Sequence, residues 1–252
     1  IGVGYPGGIN IAYDANNMRI ALIWQGDFID AKRHWNGRGQ GFQPPSGQSI
    51  ISGTPGVPFA VINSASDPWP KTYLRKDNAQ LPAIKDGYFF KGYQLSGESR
   101  IPTFNYNFGQ LKIIDRPIPK GAADSSEASL IRTITLSGEN KSNLYFRAAV
   151  GESIELVEEN TFLINDLKVI NLKSNEKPVL RDIGNNKELL VPIKFINKSE
   201  NCSKPVPIPN PVLEVLNPPV LRKSEFELSI TVFNERSEFL KFGFTTENLP
   251  FI

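Results

Sequence analysis

Alternation of apolar and polar positions dominates the chain. Ile9, Ile11 and Tyr13 alternate with Asn10 and Ala12, and a period of two marks a half-buried strand. Asp14-Ala15-Asn16-Asn17 has turn chemistry, because Asn and Asp bond their own backbone and accept left-handed geometry. Met18–Trp24 then returns as a second strand, so a hairpin is predicted. From Gln25 to Gly56 the pattern breaks into glycines, prolines and polar groups, a loop region of the length that commonly carries function or disorder. Further strands are predicted over Tyr88–Leu95, Thr103–Phe108, Leu111–Arg116, Ser129–Ser137 and Asn143–Val150, the last two forming a hairpin across 138–142. The same habit continues over Ile154–Val157, Thr161–Ile164, Leu167–Leu172, Leu189–Phe195 and Glu225–Phe233. The pattern allows helix only within Asp27–Trp35, and there only a turn or two before Asn36-Gly37.

Prolines 205, 207, 209, 211, 218 and 219 cluster within 198–219. Proline cannot donate to a ladder, so this stretch reads as an extended connector. The segment beyond it is about one hairpin long, too little for an independent core. The connector is therefore expected to strap across the domain it leaves. No fixed-period repeat points to a solenoid or propeller. The expectation is an all-β protein, one large antiparallel β-sandwich over residues 1–252. Its largest form would be the supersandwich of galactose-mutarotase-like proteins. The chain opens at Ile1 inside a strand, so a fragment of a larger multidomain protein is expected.

Composition narrows the function classes. A hydrophobic fraction of 40% with 10% aromatics supplies a core, and 21% charged residues do not suit a disordered chain. The 28 basic and 26 acidic residues leave a formal charge of +2 with no basic stripe, so nucleic acid is not an expected partner. Cys202 is the single cysteine, which excludes a disulfide framework and a CxxCH haem site within this chain. It reads as a spectator in a polar loop. No apolar run approaches the ~20 residues of a membrane span.

Chemistry is concentrated between Trp24 and Gly39, which holds two of the three Trp, the only His, two Asp and three basic residues. Asp27, Asp30 and His34 are the catalytic candidates, since a carboxylate can fix a His tautomer and His titrates near neutrality. As metal ligands they are an incomplete set, without calcium-loop spacing, and no metal is expected. Trp24, Asp30, His34, Trp35, Asn36 and Arg38 suit a saccharide, because indole faces stack on sugar rings while the polar groups bond hydroxyls. A purely structural reading fits equally: Trp24 and Trp35 in the core, Arg38 paired with Asp30, glycines supplying turns. Gly2–Gly8 lacks the Lys-Ser/Thr pair of a phosphate loop and reads as a turn. Ser125 and Ser126 sit in no nucleophile elbow. The sequons at Asn140, Asn197 and Asn201 mark surface loops.

The order Gly4-Tyr5-Pro6-Gly7-Gly8-Ile9-Asn10, Tyr13-Asp14-Ala15, Ile23-Trp24-Gln25-Gly26-Asp27-Phe28-Ile29-Asp30 and Trp35-Asn36-Gly37-Arg38-Gly39 resembles a module of large secreted bacterial proteins that carry c-type cytochrome domains. Those proteins often hold a sugar-dehydrogenase-like propeller as well. The likeness continues through Phe90-Lys91-Gly92-Tyr93-Gln94-Leu95, Pro102–Tyr106, Leu130–Thr133 and Leu144–Ala148, about the first 150 residues. The resemblance implies a secreted or periplasmic protein working on or near carbohydrate, beside a cytochrome or propeller domain. Haem would then sit in that neighbour, with no cofactor in this chain. It assigns no activity to these residues. The leading expectation is a non-catalytic module that binds carbohydrate or packs against partner domains. The alternatives are a sugar-active enzyme, mutarotase-like or glycoside-cleaving, using Asp27, Asp30 and His34, and a purely structural spacer.

Overall fold

The computed structural model of the chain describes residues 1–35, 43–64, 66–70, 87–121, 128–139, 141–166, 168–195 and 222–232. Its strands form three antiparallel sheets. The first runs β1 (Gly2–Gly4), β2 (Ile9–Asp14), β3 (Arg19–Gln25) and β4 (Gln48–Ser52) in order. In the second, β5 (Phe59–Val61) borders β10 (Leu144–Gly151), followed by β15 (Asn186–Pro192) and β14 (Val179–Ile183). The third has eight strands. From one edge they are β6 (Tyr88–Ser96), β7 (Ile101–Phe108), β8 (Leu111–Lys120), β9 (Ser129–Gly138), β16 (Arg222–Val232), β13 (Lys168–Lys173), β12 (Thr161–Ile164) and β11 (Ile154–Glu158).

Side-chain contacts arrange these sheets as a sandwich, with the eight-stranded sheet facing the two smaller ones. Tyr13 of β2 stacks on Phe104 of β7 with ring centroids 3.8 Å apart, and Phe146 of β10 meets Phe226 of β16 at 4.9 Å. One buried cluster takes Ile11 and Ile23 from the first sheet, Phe59 and Leu189 from the second, and Phe104, Leu130 and Ile170 from the third. Burying these aliphatic and aromatic faces is the main force holding the layers together. The two small sheets are tied at their seam, where the Thr54 hydroxyl donates to Ala148 O at 2.9 Å and the Arg147 guanidinium donates to Pro55 O.

The interior is not wholly apolar. Along β8, Leu111, Ile113, Asp115 and Pro117 occupy the inward parity. Asp115 has no exposed surface, and Arg132 of β9 holds it through Nε at 3.2 Å and a second nitrogen at 2.5 Å. The hydroxyls of Tyr13 and Tyr106 are buried nearby. Burial first, then for Tyr106 the neighbouring Tyr13, and for both the Asp115 charge, push these phenols well above their ordinary value. Pro117 and Pro119 are tolerated in β8 because its pairing with β7 ends at Asp115, so on that side no ladder donor is lost.

Fold class and the first hairpin agree with the sequence pattern. Asp14 Oδ1 accepts from the backbone of Asn16 and Asn17 at 3.0 and 3.3 Å, and the residue that turns left-handed is Met18, at φ 51°. One expected pairing is overturned. Ser129–Ser137 and Asn143–Val150 form no hairpin: β9 pairs with β8 and β16, whereas β10 pairs with β15 and β5 in the opposite layer. Both edges of β9 are occupied, so the chain crosses between layers instead of folding back. Strands β4, β5 and β14 were not legible in the pattern, and β4 lies inside the expected loop 25–56. The proline-rich connector 198–219 and Cys202 lie outside the described residues. Among the described residues, the segment after the connector contributes strand β16, inserted between β13 and β9.

Candidate functional site

The signature stretch begins as a structural plug. Cross-strand register places Gly4, Asn10 and Trp24 in one row, on the face of the first sheet opposite Ile11 and Ile23. Trp24 is only 2% exposed and lies outside the main core cluster. Its indole stacks on Phe28, with centroids 5.8 Å apart and planes within 5°, and its Nε1 donates to the carbonyls of Asp27 and Phe28 at 3.0 and 3.1 Å. A Cβ at Gly2 or Gly4 would meet the Phe28 ring at 3.0 Å. Those glycines therefore make room for an aromatic cover, and the glycine-rich opening leads into β2 rather than a helix. Asn10, also buried, donates to Gly26 O at 2.9 Å.

Trp24, expected among the saccharide contacts, is thus buried against Phe28 with its indole N–H bonded to backbone carbonyls. Trp35 is the opposite case. It is 86% exposed at the end of α1 (Lys32–Trp35), a single turn whose Lys32 amide is capped by Asp30 Oδ1 at 2.9 Å. Asp27 and Asp30 are both exposed. The backbone of His34 lies in α1, while its side chain, Asn36 and Arg38 lie outside the described residues. Among the described residues no cluster of His, Cys, Asp and Glu could hold a metal ion.

A second site was not singled out by the sequence. A cleft of about 420 Å³ opens where the three sheets meet. One wall is the edge strand β4 and the segment after it, Ile50 to Pro55. The other carries Val150–Glu152 at the end of β10, Asn186 at the start of β15, and Ile164, Asn165 and Lys168 around the β12–β13 turn. Its volume falls in the range of roughly 300–1,000 Å³ typical of small-molecule sites. Ile50, Ile51, Val150 and Ile164 give it an aliphatic lining, and Ser52, Thr54, Asn165, Lys168 and Asn186 supply hydroxyl, amide and ammonium groups.

The walls are fixed by close packing. A Cβ at Gly53 would stand 1.9 Å from Ile20 O, so only glycine lets the segment after β4 pass that close to β3. Arg19 donates to Thr54 O at 3.0 Å. Arg147, which holds Pro55 O, is paired with the buried Glu188 at 2.7 Å, and Arg181 binds the same carboxylate at 2.6 Å. Across the cleft, Asn165 and Asp166 take φ of 50° and 55°, and Asn165 Oδ1 accepts from Ser153 N at 3.0 Å. Asn tolerates this left-handed geometry better than most side chains.

Lys168 is the unusual member. On β13 it shares parity with Ile170 and Leu172, both in the main core. It pairs with Ile164, which pairs in turn with Ile154. An inward-facing apolar row thus carries an ammonium group. Lys168 is half-buried, its ammonium has no hydrogen-bond or ion-pair partner among the described residues, and desolvation by burial pulls its pKa down from 10.5 to about 8. The alternation Lys168-Val169-Ile170-Asn171-Leu172 held this signal, since a lysine in the parity of two core aliphatics breaks the binary pattern.

The fold and cleft define an all-β antiparallel sandwich with an inter-sheet cavity. A family model described as a domain of unknown function, DUF6797, matches residues 11–115. The matched stretch takes in Trp24–Gly39 and the β4 wall of the cleft, but not the wall that carries Lys168. No curated protein and no solved structure matches the chain.

Proposed function

We propose that this chain is a non-catalytic β-sandwich module that holds a small saccharide in the inter-sheet cleft. The observation that carries the reading is the cleft lining, in which hydroxyl, amide and ammonium groups converge over aliphatic surface. That combination orients a sugar's hydroxyls while its C–H faces lie on the apolar side chains. The likeness to modules of secreted cytochrome-bearing proteins supports placing it in an exported multidomain protein, beside a cytochrome or propeller domain that would hold any haem. Acid–base chemistry by Asp27, Asp30 and His34 draws no support: the two carboxylates are exposed, and that of Asp30 is engaged in capping α1.

The test is a glycan-binding screen on the full chain, repeated with Ser52→Trp, which places an indole in the cleft from an exposed position of β4, and with Trp35→Ala. Loss of binding in Ser52→Trp alone is expected. Loss in Trp35→Ala alone would move the saccharide to the α1 turn. A domain-packing role is favoured by a separate observation: Phe89, Tyr93 and Leu95 are 48%, 50% and 47% exposed on β6, an edge strand whose second ladder side has no partner among the described residues.

A further inference from the structure

We infer that the saccharide held in the cleft is acidic, carrying a single anionic group that pairs with the Lys168 ammonium. The inference rests on the saccharide reading above and names its ligand class. Among the described residues, Lys168 faces the interior from β13 with no carboxylate, carbonyl or hydroxyl bonded to its ammonium, whereas the buried cations Arg132, Arg147 and Arg181 all have carboxylate partners. A desolvated cation without a counter-ion is costly to the free protein. It is the arrangement expected where the counter-ion arrives with a ligand, as a charge-assisted hydrogen bond made in a partly dry site.

The surroundings set the charge number. The charged side chains lining the cleft are Lys168 and the exposed Glu152, and the exposed Asp166 follows Asn165 on the β12–β13 turn; neither carboxylate is paired with Lys168. Lys187 on β15 is occupied by Asp182 at 2.6 Å. One free ammonium near two carboxylates suits a monoanion and disfavours a dianionic phosphate. A uronic acid carboxylate and a sugar sulfate ester share that chemistry. The depressed pKa of Lys168 adds a condition: affinity falls as the solution passes through pH of about 8, where the free cleft loses its proton.

Calorimetric titration of the full chain with galacturonic acid, galactose 6-sulfate and neutral galactose tests this. Acidic sugars are expected to bind more tightly than the neutral one, to lose at least about tenfold in Lys168→Met and to be retained in Lys168→Arg. The two acidic arms identify the anion. Equal binding of acidic and neutral sugars, unchanged by Lys168→Met, would overturn the acidic assignment and leave the saccharide reading standing. Binding of plain acetate, lost in Lys168→Met, with no binding of any sugar would keep the anion site and remove the saccharide. An absence of binding by every probe would overturn both.

Discussion

Replacing Lys168 by Met should make the protein more stable, because it removes a desolvated ammonium with no partner among the described residues from an inward-facing position and leaves an aliphatic chain beside Ile164. The pKa drop from 10.5 to about 8 corresponds to about 3 kcal/mol at ~1.4 kcal/mol for each tenfold change in proton affinity. Lys168 keeps part of its surface in water, which screens part of that penalty, so the expected gain is about 1–2 kcal/mol at pH 7. The sign comes from linkage. The folded-state pKa of this lysine is lowered, so between pH of about 8 and 10.5 the unfolded chain binds more protons, and unmutated stability rises with pH across that window. Below pH of about 8 the penalty is present in full; above 10.5 it is gone. Urea denaturation of both proteins at pH of about 7 and about 10.5 reads this directly, as a midpoint advantage for Lys168→Met near neutrality that shrinks in alkali. A variant no more stable than the parent near neutrality, or an advantage independent of pH, would refute the picture of an uncompensated ammonium.

The buried pair offers a second test: Arg132→Met leaves the fully buried Asp115 carboxyl without its partner and should cost about 3–5 kcal/mol, whereas Asp115→Leu combined with Arg132→Met should recover most of it by denaturant titration. The two Trp residues should separate cleanly. Trp24→Ala removes the stacked, doubly bonded indole and should cost about 3–5 kcal/mol, while Trp35→Ala, at 86% exposure, should stay within about 0.5 kcal/mol in thermal melts. Gly53→Ala forces a methyl group against Ile20 O and should cost about 1–3 kcal/mol. Because Gly53 lines the cleft, saccharide affinity measured calorimetrically should fall with it.

The sequence by itself determined the class of the protein. Period-two runs such as Ile9-Asn10-Ile11 and Leu111–Asp115 report which side of a strand is buried, and that is a local property of the chain. Turn chemistry at Asp14–Asn17 likewise fixed the first hairpin. Pairing between strands is not local. Nothing near Ser129–Gly138 announces that β16, from beyond residue 221, fills its free edge and sends Leu144–Gly151 into the other layer. The dense stretch from Trp24 to Trp35 was visible as composition, but composition could not tell the covered Trp24 from the exposed Trp35, since the difference lies in Phe28 and two distant glycines. The cleft was invisible for the same reason: β4, β10, β15 and the β12–β13 turn are separated along the chain and meet only where the three sheets converge. Lys168 is the instructive case. Its parity was readable in the sequence, but that its ammonium has no ion-pair partner among the described residues was decided by the tertiary packing.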